Sequence, residues 1–366
     1  MPSIETADPS PSAPVGSGDI PSSLGALRFK RPPAVGRRTF NWIRPAVCPM
    51  VTRSIPDDLR RLDLATLGRY GPIIGLIGLY VVFTALNSRF LTLGNQVNVL
   101  RQVSIIGILA VGVTFPIICA EIDLSIAEMM EFTGLFVAAL ATGSVVVSSS
   151  YPVPVAIAAG ILAGVVLGGL SGVVTSRYGV PSFMSTLAML FLAQGFALIV
   201  SNARPITGLP ESLQWFGGAT VFRHYVAELD GTLQIPAIVL VFLTLLVVSQ
   251  FVLSYTRFGL YVYAIGGNRE AAERMGINVP LVRLSVIVIS AVFAAAAGVV
   301  MLGRIGIGSP TMGQGLLLPP IAAVILGGAN LFGGSGNMIG TLVGVLILGV
   351  LQNGLNLMGV DAVSDR

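Results

Sequence analysis

Nine apolar runs, at residues 71–87, 103–119, 127–147, 153–175, 181–201, 235–255, 284–303, 316–331 and 338–358, follow one another along this chain. Most reach or approach the roughly 20 residues that a helix needs to cross a hydrocarbon core about 30 Å thick. A chain built this way has the bilayer as its solvent. Composition agrees: 54% of residues are apolar and 10% are charged, against about 25% charged in ordinary soluble domains. The expected fold is all-α, a polytopic integral membrane protein with about nine transmembrane helices, give or take one. The gaps between the third, fourth and fifth runs, and between the last two, are so short that some runs are expected to be broken or re-entrant.

The 44 glycines would cost a water-soluble helical protein stability. Between membrane helices they serve as points of close approach, and the row Gly160, Gly164, Gly168 has the spacing for it. The other reading, that such glycines face lipid to no effect, stays open for any one of them.

Before the first run the chain is different. Residues 1–56 are rich in Pro, Ser, Ala and Gly without apolar periodicity, which predicts a disordered tail. No apolar core of about 7–15 residues follows the start, so this is not a signal peptide. Residues 57–70 carry leucines at 59, 62, 64 and 67 among charges, which predicts an amphipathic helix on the membrane surface, in contact with lipid, leading into the first span. Ten of the 21 cations precede Tyr70, so the N-terminus is expected in the cytoplasm. A nucleic-acid partner is discounted, because the basic segment has no aromatic platform or folded module. Residues 361–366 form a short C-terminal tail.

Six crossings from an internal N-terminus return the chain inside at Arg257, where Arg257, Arg269, Arg274 and Arg283 gather. The positive-inside rule is met at both places. The same parity leaves residues 202–234 outside.

Several chemistries are excluded. The single histidine, His224, sits in the expected outer loop with no nearby nucleophile and reads as solvated. The only lysine is Lys30, so no Walker-type phosphate loop exists and any nucleotide hydrolysis belongs to another chain. Cys48 and Cys119 are too few for a disulfide framework or a four-ligand metal site. A membrane enzyme is therefore disfavoured.

Three polar stretches remain. Residues 255–280 form a polar island between apolar runs, which predicts a short helix with Asn268 as its cap, Glu270 and Arg274 paired at i and i+4, and Gly276 as its stop. Residues 119–131 hold four acids, Glu121, Asp123, Glu128 and Glu131, where charge is expensive and usually functional. Ser125 and Glu128 have the spacing of a capping box, which would start a new helix there. Transporters build polar sites from such breaks, and Asp123 is the residue expected to brace this one. The alternative is a water-exposed inner loop that merely caps the third span. Arg204, after the fifth run, either snorkels to the headgroups or lines the outer mouth of a path. The glycine-rich stretches 304–314 and 327–337 predict tight turns between helices.

Taken together these segments resemble a known family. E-A-A-x3-G at 270–276 is similar to the cytoplasmic coupling motif of ABC-importer permeases. E-I-D-L-S at 121–125, V-P-S-F-M-S-T-L at 180–187, T-R-F-G-L-Y-V-Y-A-I-G-G-N at 256–268, A-A-V-I-L-G-G-A-N-L-F-G-G at 322–334 and Q-N-G-L-N-L-M-G-V at 352–360 narrow the resemblance to the ribose, xylose and arabinose type.

The resemblance implies a permease of the bacterial inner membrane carrying a monosaccharide or related polyol, with residues 71–360 as the transmembrane domain. Its partners would be a second permease subunit, identical or not, a cytoplasmic ATPase that binds the ATP and magnesium, and an extracytoplasmic sugar-binding protein. It also implies that Gly266, Gly267, Asn268, Arg269, Glu270, Ala271, Ala272, Met275 and Gly276, within a coupling loop over 256–283, fit a groove of the ATPase, where a rigid short helix transmits closure to the spans it joins. Glu121, Asp123, Ser125, Glu128 and Arg204 are the residues expected at the helix break or along the path. Members commonly show G-G-I-D-L-S-V-G-S where this chain has A-E-I-D-L-S-I-A-E, and they continue through a further hydrophobic helix beyond residue 360, so a truncated or atypical member is expected. The rival reading is a secondary transporter in which Asp123 or Glu121 carries a proton.

Overall fold

The computed structural model describes residues 64–143, 149–226 and 231–359. The expected tails over 1–56 and 361–366 lie outside these residues, as do residues 57–63 of the expected surface helix.

Twelve helices and one hairpin make up the described chain. In order they are α1 (Leu64–Leu86), α2 (Leu93–Ile118), α3 (Ile126–Thr142), α4 (Val153–Arg177), α5 (Ser182–Ser201), α6 (Glu211–Gly218), β1 (Thr220–Val226), β2 (Gly231–Pro236), α7 (Ala237–Tyr255), α8 (Arg257–Gly267), α9 (Arg269–Arg274), α10 (Val279–Ile305), α11 (Leu318–Leu326) and α12 (Met338–Leu357). The two strands pair antiparallel. The helix α1 runs unbroken across residue 70, so the expected boundary between surface helix and first span is not a break in the chain.

Six helices, α2, α4, α5, α7, α10 and α12, are long and apolar enough to cross a membrane. The run over 316–331 behaves differently. Only nine of its residues are helical, in α11, or about 14 Å at 1.5 Å per residue. Half a crossing is all that this helix supplies, in line with the expectation that some runs are broken.

The core is built around α2 and α10. Most of α2 from Val97 onward is buried, while α10 packs along α4, α2 and α3. Small residues allow this approach. Gly160, Gly164 and Gly168 are all buried on one face of α4, and a side chain at any of them would overlap Val137, Thr133 or Ala291 on α3 and α10. These three glycines are close-approach points and not lipid-facing ones. The outward side of α4 and α5 carries Leu162, Val166, Phe191, Leu192 and Ile199, all exposed and apolar, as a lipid-facing surface requires.

Candidate functional site: a helix break beside a protruding elbow

The polar island resolves into two helices. Thr256 caps α8, its hydroxyl accepting from Gly259 N at 3.3 Å. Asn268 then ends α8 and starts α9, its side chain accepting from Ala271 N at 3.0 Å. The stop is a Schellman turn: Gly276 N donates to Glu273 O at 2.9 Å, Ile277 N to Ala272 O at 3.2 Å, and Gly276 takes a φ of +82°. Glu270 and Arg274 pair at 3.9 Å while 87% and 82% exposed, an arrangement that contributes a few tenths of a kcal/mol at most. Within α9 only Ala272 is buried. The helix therefore stands out from the bundle, with Arg269, Glu270, Ala271, Met275 and Gly276 exposed around it.

The chain before the elbow is clamped to the bundle. A side chain at Gly266 would overlap the carbonyl of Ile118, and Gly334 N donates to that same oxygen at 2.9 Å. Tyr263 donates from its hydroxyl to Gly336 O at 2.6 Å. Thus the end of α8, the end of α2 and the turn over 327–337 meet at one place.

Immediately beyond Ile118 lies the break. Residues 119–125 are not helical, yet Glu121, Asp123 and Ser125 are all buried. The expected alternative of a water-exposed loop does not hold for them. The backbone is satisfied by α5, where Ile122 N donates to Ser182 Oγ at 3.0 Å and Leu124 N to Thr186 Oγ1 at 3.1 Å. Asp123 Oδ1 accepts from Ser125 N at 2.9 Å and from Ser125 Oγ at 2.7 Å.

The capping box is absent. Ser125 lies in the αR region rather than the extended one a cap needs, and its side chain, turned to donate to Asp123, accepts from no amide of the first turn. Glu128 leaves one carboxylate oxygen buried without a partner among the described residues. Glu131, deeper in α3, accepts from Gly313 N at 2.9 Å.

Glu121 forms a buried ion pair with Arg283 on the first turns of α10, and Arg283 also donates to Thr175 O at the end of α4 at 3.0 Å. Between break and elbow is a cavity of about 340 Å³, lined by Glu121, Ile122, Phe183, Arg283 and Arg269 among others. The structure thereby brings Arg269 of the elbow to the same cavity as Glu121 of the break. Arg204 is not part of this cluster. It follows the far end of α5, 20 helical residues from Ser182, or about 30 Å.

Three participants were not singled out in the sequence. Arg283 counted there only as one cation of a loop, although a charge four residues inside an apolar helix was a usable signal. Ser182 and Thr186 were quoted within a motif but given no role. The φ of +61° at Ala120 was not anticipated, since alanine does not itself mark a left-handed turn.

A bundle of membrane-crossing helices, interrupted by a buried polar break and carrying a capped helix on one end, is the architecture of a transport subunit. The chain belongs to the family described as branched-chain amino acid transport system / permease component, which matches residues 95–365. It is 35% identical to the ribose import permease of Escherichia coli (strain K12), over 86% of this chain and 93% of that protein. It is 32% identical to a xylose transport system permease of Haemophilus influenzae, over 82% of this chain and 92% of that one, and 34% identical to a fructose import permease of Rhizobium meliloti, over 79% of each. No solved structure matches it. The chain is a permease subunit and not an enzyme, and ATP hydrolysis belongs to a separate subunit.

Proposed function

We propose that this chain is the membrane-spanning subunit of an ATP-driven importer for a monosaccharide or related polyol, and that α9 is the element gripped by the ATPase. The observation that carries the reading is the elbow itself. A six-residue helix fixed by caps at both ends and burying one residue contributes little to the fold, so its order serves contact with another protein. It is also tied to the spans: Arg283, nine residues beyond Arg274, pairs with Glu121 at the break. A push on α9 therefore reaches α2, α3, α4 and α10 together.

Substrate class rests on the relatives whose names specify ribose, xylose and fructose. The heading of the family names branched-chain amino acids, but these individual relatives weigh more because each is matched over most of its length. The assembly comprises two permease subunits, two ATPase domains at the elbow end and a sugar receptor over the opposite end, in a bacterial inner membrane with the N-terminus in the cytoplasm. A proton-coupled carrier needs an acid free to change partners. Here Glu121 is paired with Arg283 and Asp123 with Ser125.

The test is uptake of labelled ribose, xylose and fructose into proteoliposomes holding this chain with its genomically neighbouring ATPase and receptor. Uptake of one of these sugars should require ATP, persist with a protonophore present, and be lost in Gly276→Pro. Uptake that persists without ATP and collapses with the proton gradient would overturn the reading.

A further inference from the structure

The connection over 306–317 is not helical, and it does not stay at the membrane surface. Gly308 lies against Leu135 and Ala138, Met312 against Gly134, and Gly313 against Ala127 and Glu131. From the C-terminal end of α3 at Thr142 down to Glu131 is eleven residues, roughly 16 Å at 1.5 Å per residue. Irregular backbone at that depth cannot face lipid. It must be covered by protein or border water.

One side of it is covered, by α3. The other side is exposed, with Thr311, Gln314 and Gly315 open. Next to it is a cavity of about 300 Å³ lined by Gln102 and Ile106 of α2, Arg304 of α10, Gln352 of α12 and Leu316 of the connection itself. Its size is at the lower end of the roughly 300–1,000 Å³ of small-molecule sites. Gln102, Arg304 and Gln352 have no hydrogen-bond or ion-pair partner among the described residues. Gln102 is nine residues into α2, about 14 Å from its start. An unpaired amide at this depth is costly in hydrocarbon and inexpensive only beside water; Arg304, one residue from the end of α10, and Gln352, five from the end of α12, continue the polar lining toward the membrane surface.

We propose that this face lines the water-filled stretch of the solute path in the half of the membrane away from the elbow, and that Gln102, Arg304 and Gln352 hydrogen-bond the hydroxyls of a polyol passing through it. Amide and guanidinium donors suit vicinal hydroxyls, and the site has no aromatic platform among its lining residues. The polyol assignment rests on the import reading above; the water-lined path does not.

The experiment uses full-length protein in membrane vesicles, with Cys48→Ser and Cys119→Ser as background and single cysteines at Gln314, Gln352 or, as the lipid-facing control, Val247, which is 63% exposed on α7. The probe is a charged, membrane-impermeant methanethiosulfonate. Gln314→Cys and Gln352→Cys should react at least about tenfold faster than Val247→Cys, because a thiol in lipid neither ionises nor meets the reagent. Equal, slow labelling at all three positions would overturn the path. Labelling needs no transport, so failure of the import reading leaves this result legible. In the assembled importer, Gln352→Leu should lower uptake of the transported sugar about tenfold, the loss of one polar contact to the solute. Unchanged uptake with rapid labelling would overturn the polyol contact.

Discussion

At Ala120 the chain turns out of α2 with a φ of +61°, a conformation that costs a residue with a Cβ about 1–2 kcal/mol. Ala120→Gly relieves that strain but loosens the unfolded chain by about 0.4–1 kcal/mol. A net gain near 1 kcal/mol is expected, read as a higher unfolding temperature in detergent. Its neighbour Glu121 works in the opposite direction. Paired with Arg283 and 6% exposed, it keeps a buried guanidinium compensated, and Glu121→Gln should destabilise by about 3–5 kcal/mol. Adding Arg283→Met should restore most of that loss, and a double variant no better than the single would show that the pair is not coupled. The motif E-I-D-L-S was legible as a polar break because acids between apolar runs are rare. Its ion pair was not, since the partner lies 162 residues away and only the packing of α10 beside α2 brings it near.

Element ends were legible where their local chemistry stood outside an apolar run, and hidden where it did not. Asn268 and Gly276 announced both ends of α9, because a side-chain cap and a left-handed stop act within a few residues. The end of α11 uses the same device: Gly328 N donates to Ile325 O at 2.9 Å, Ala329 N to Val324 O at 3.2 Å, and Gly328 takes a φ of +91°. That stop sits inside an apolar run that continues to Leu331, so hydropathy alone passes over it. The capping box failed because Ser125 takes αR backbone, and its hydroxyl turns toward Asp123, two residues earlier, instead of toward the amides of the first turn. These ends carry a prediction. Asn268→Ala removes a cap worth about 0.5–2 kcal/mol, and with only Ala272 buried in α9 the cost should remain local. Amide exchange over 269–277 should speed up while the global unfolding temperature stays put. If the whole bundle unfolds earlier instead, α9 is part of the core and the elbow reading weakens.

For the molecule as a whole, the break and the elbow share one end, since Glu121 meets Arg283 and Ile118 meets Gly334. The hairpin and α6 belong to the other, because α5 and α7 both traverse the bundle between them. This two-ended arrangement turns orientation into a measurable quantity. Arg257, Arg269, Arg274 and Arg283 cluster at the elbow end, and basic connections stay on the cytoplasmic side. In the cysteine-free background, Arg269→Cys should therefore be labelled by an impermeant maleimide in inside-out vesicles and spared in intact cells. Glu211→Cys, exposed at the first residue of α6, should show the reverse. Both positions are open in the fold, so neither result can be blamed on burial. The opposite pattern at both would put α9 on the outer face, beyond the reach of any ATP-hydrolysing partner, and the coupling role would fall with it. The helices, the break and the ion pair would remain as described.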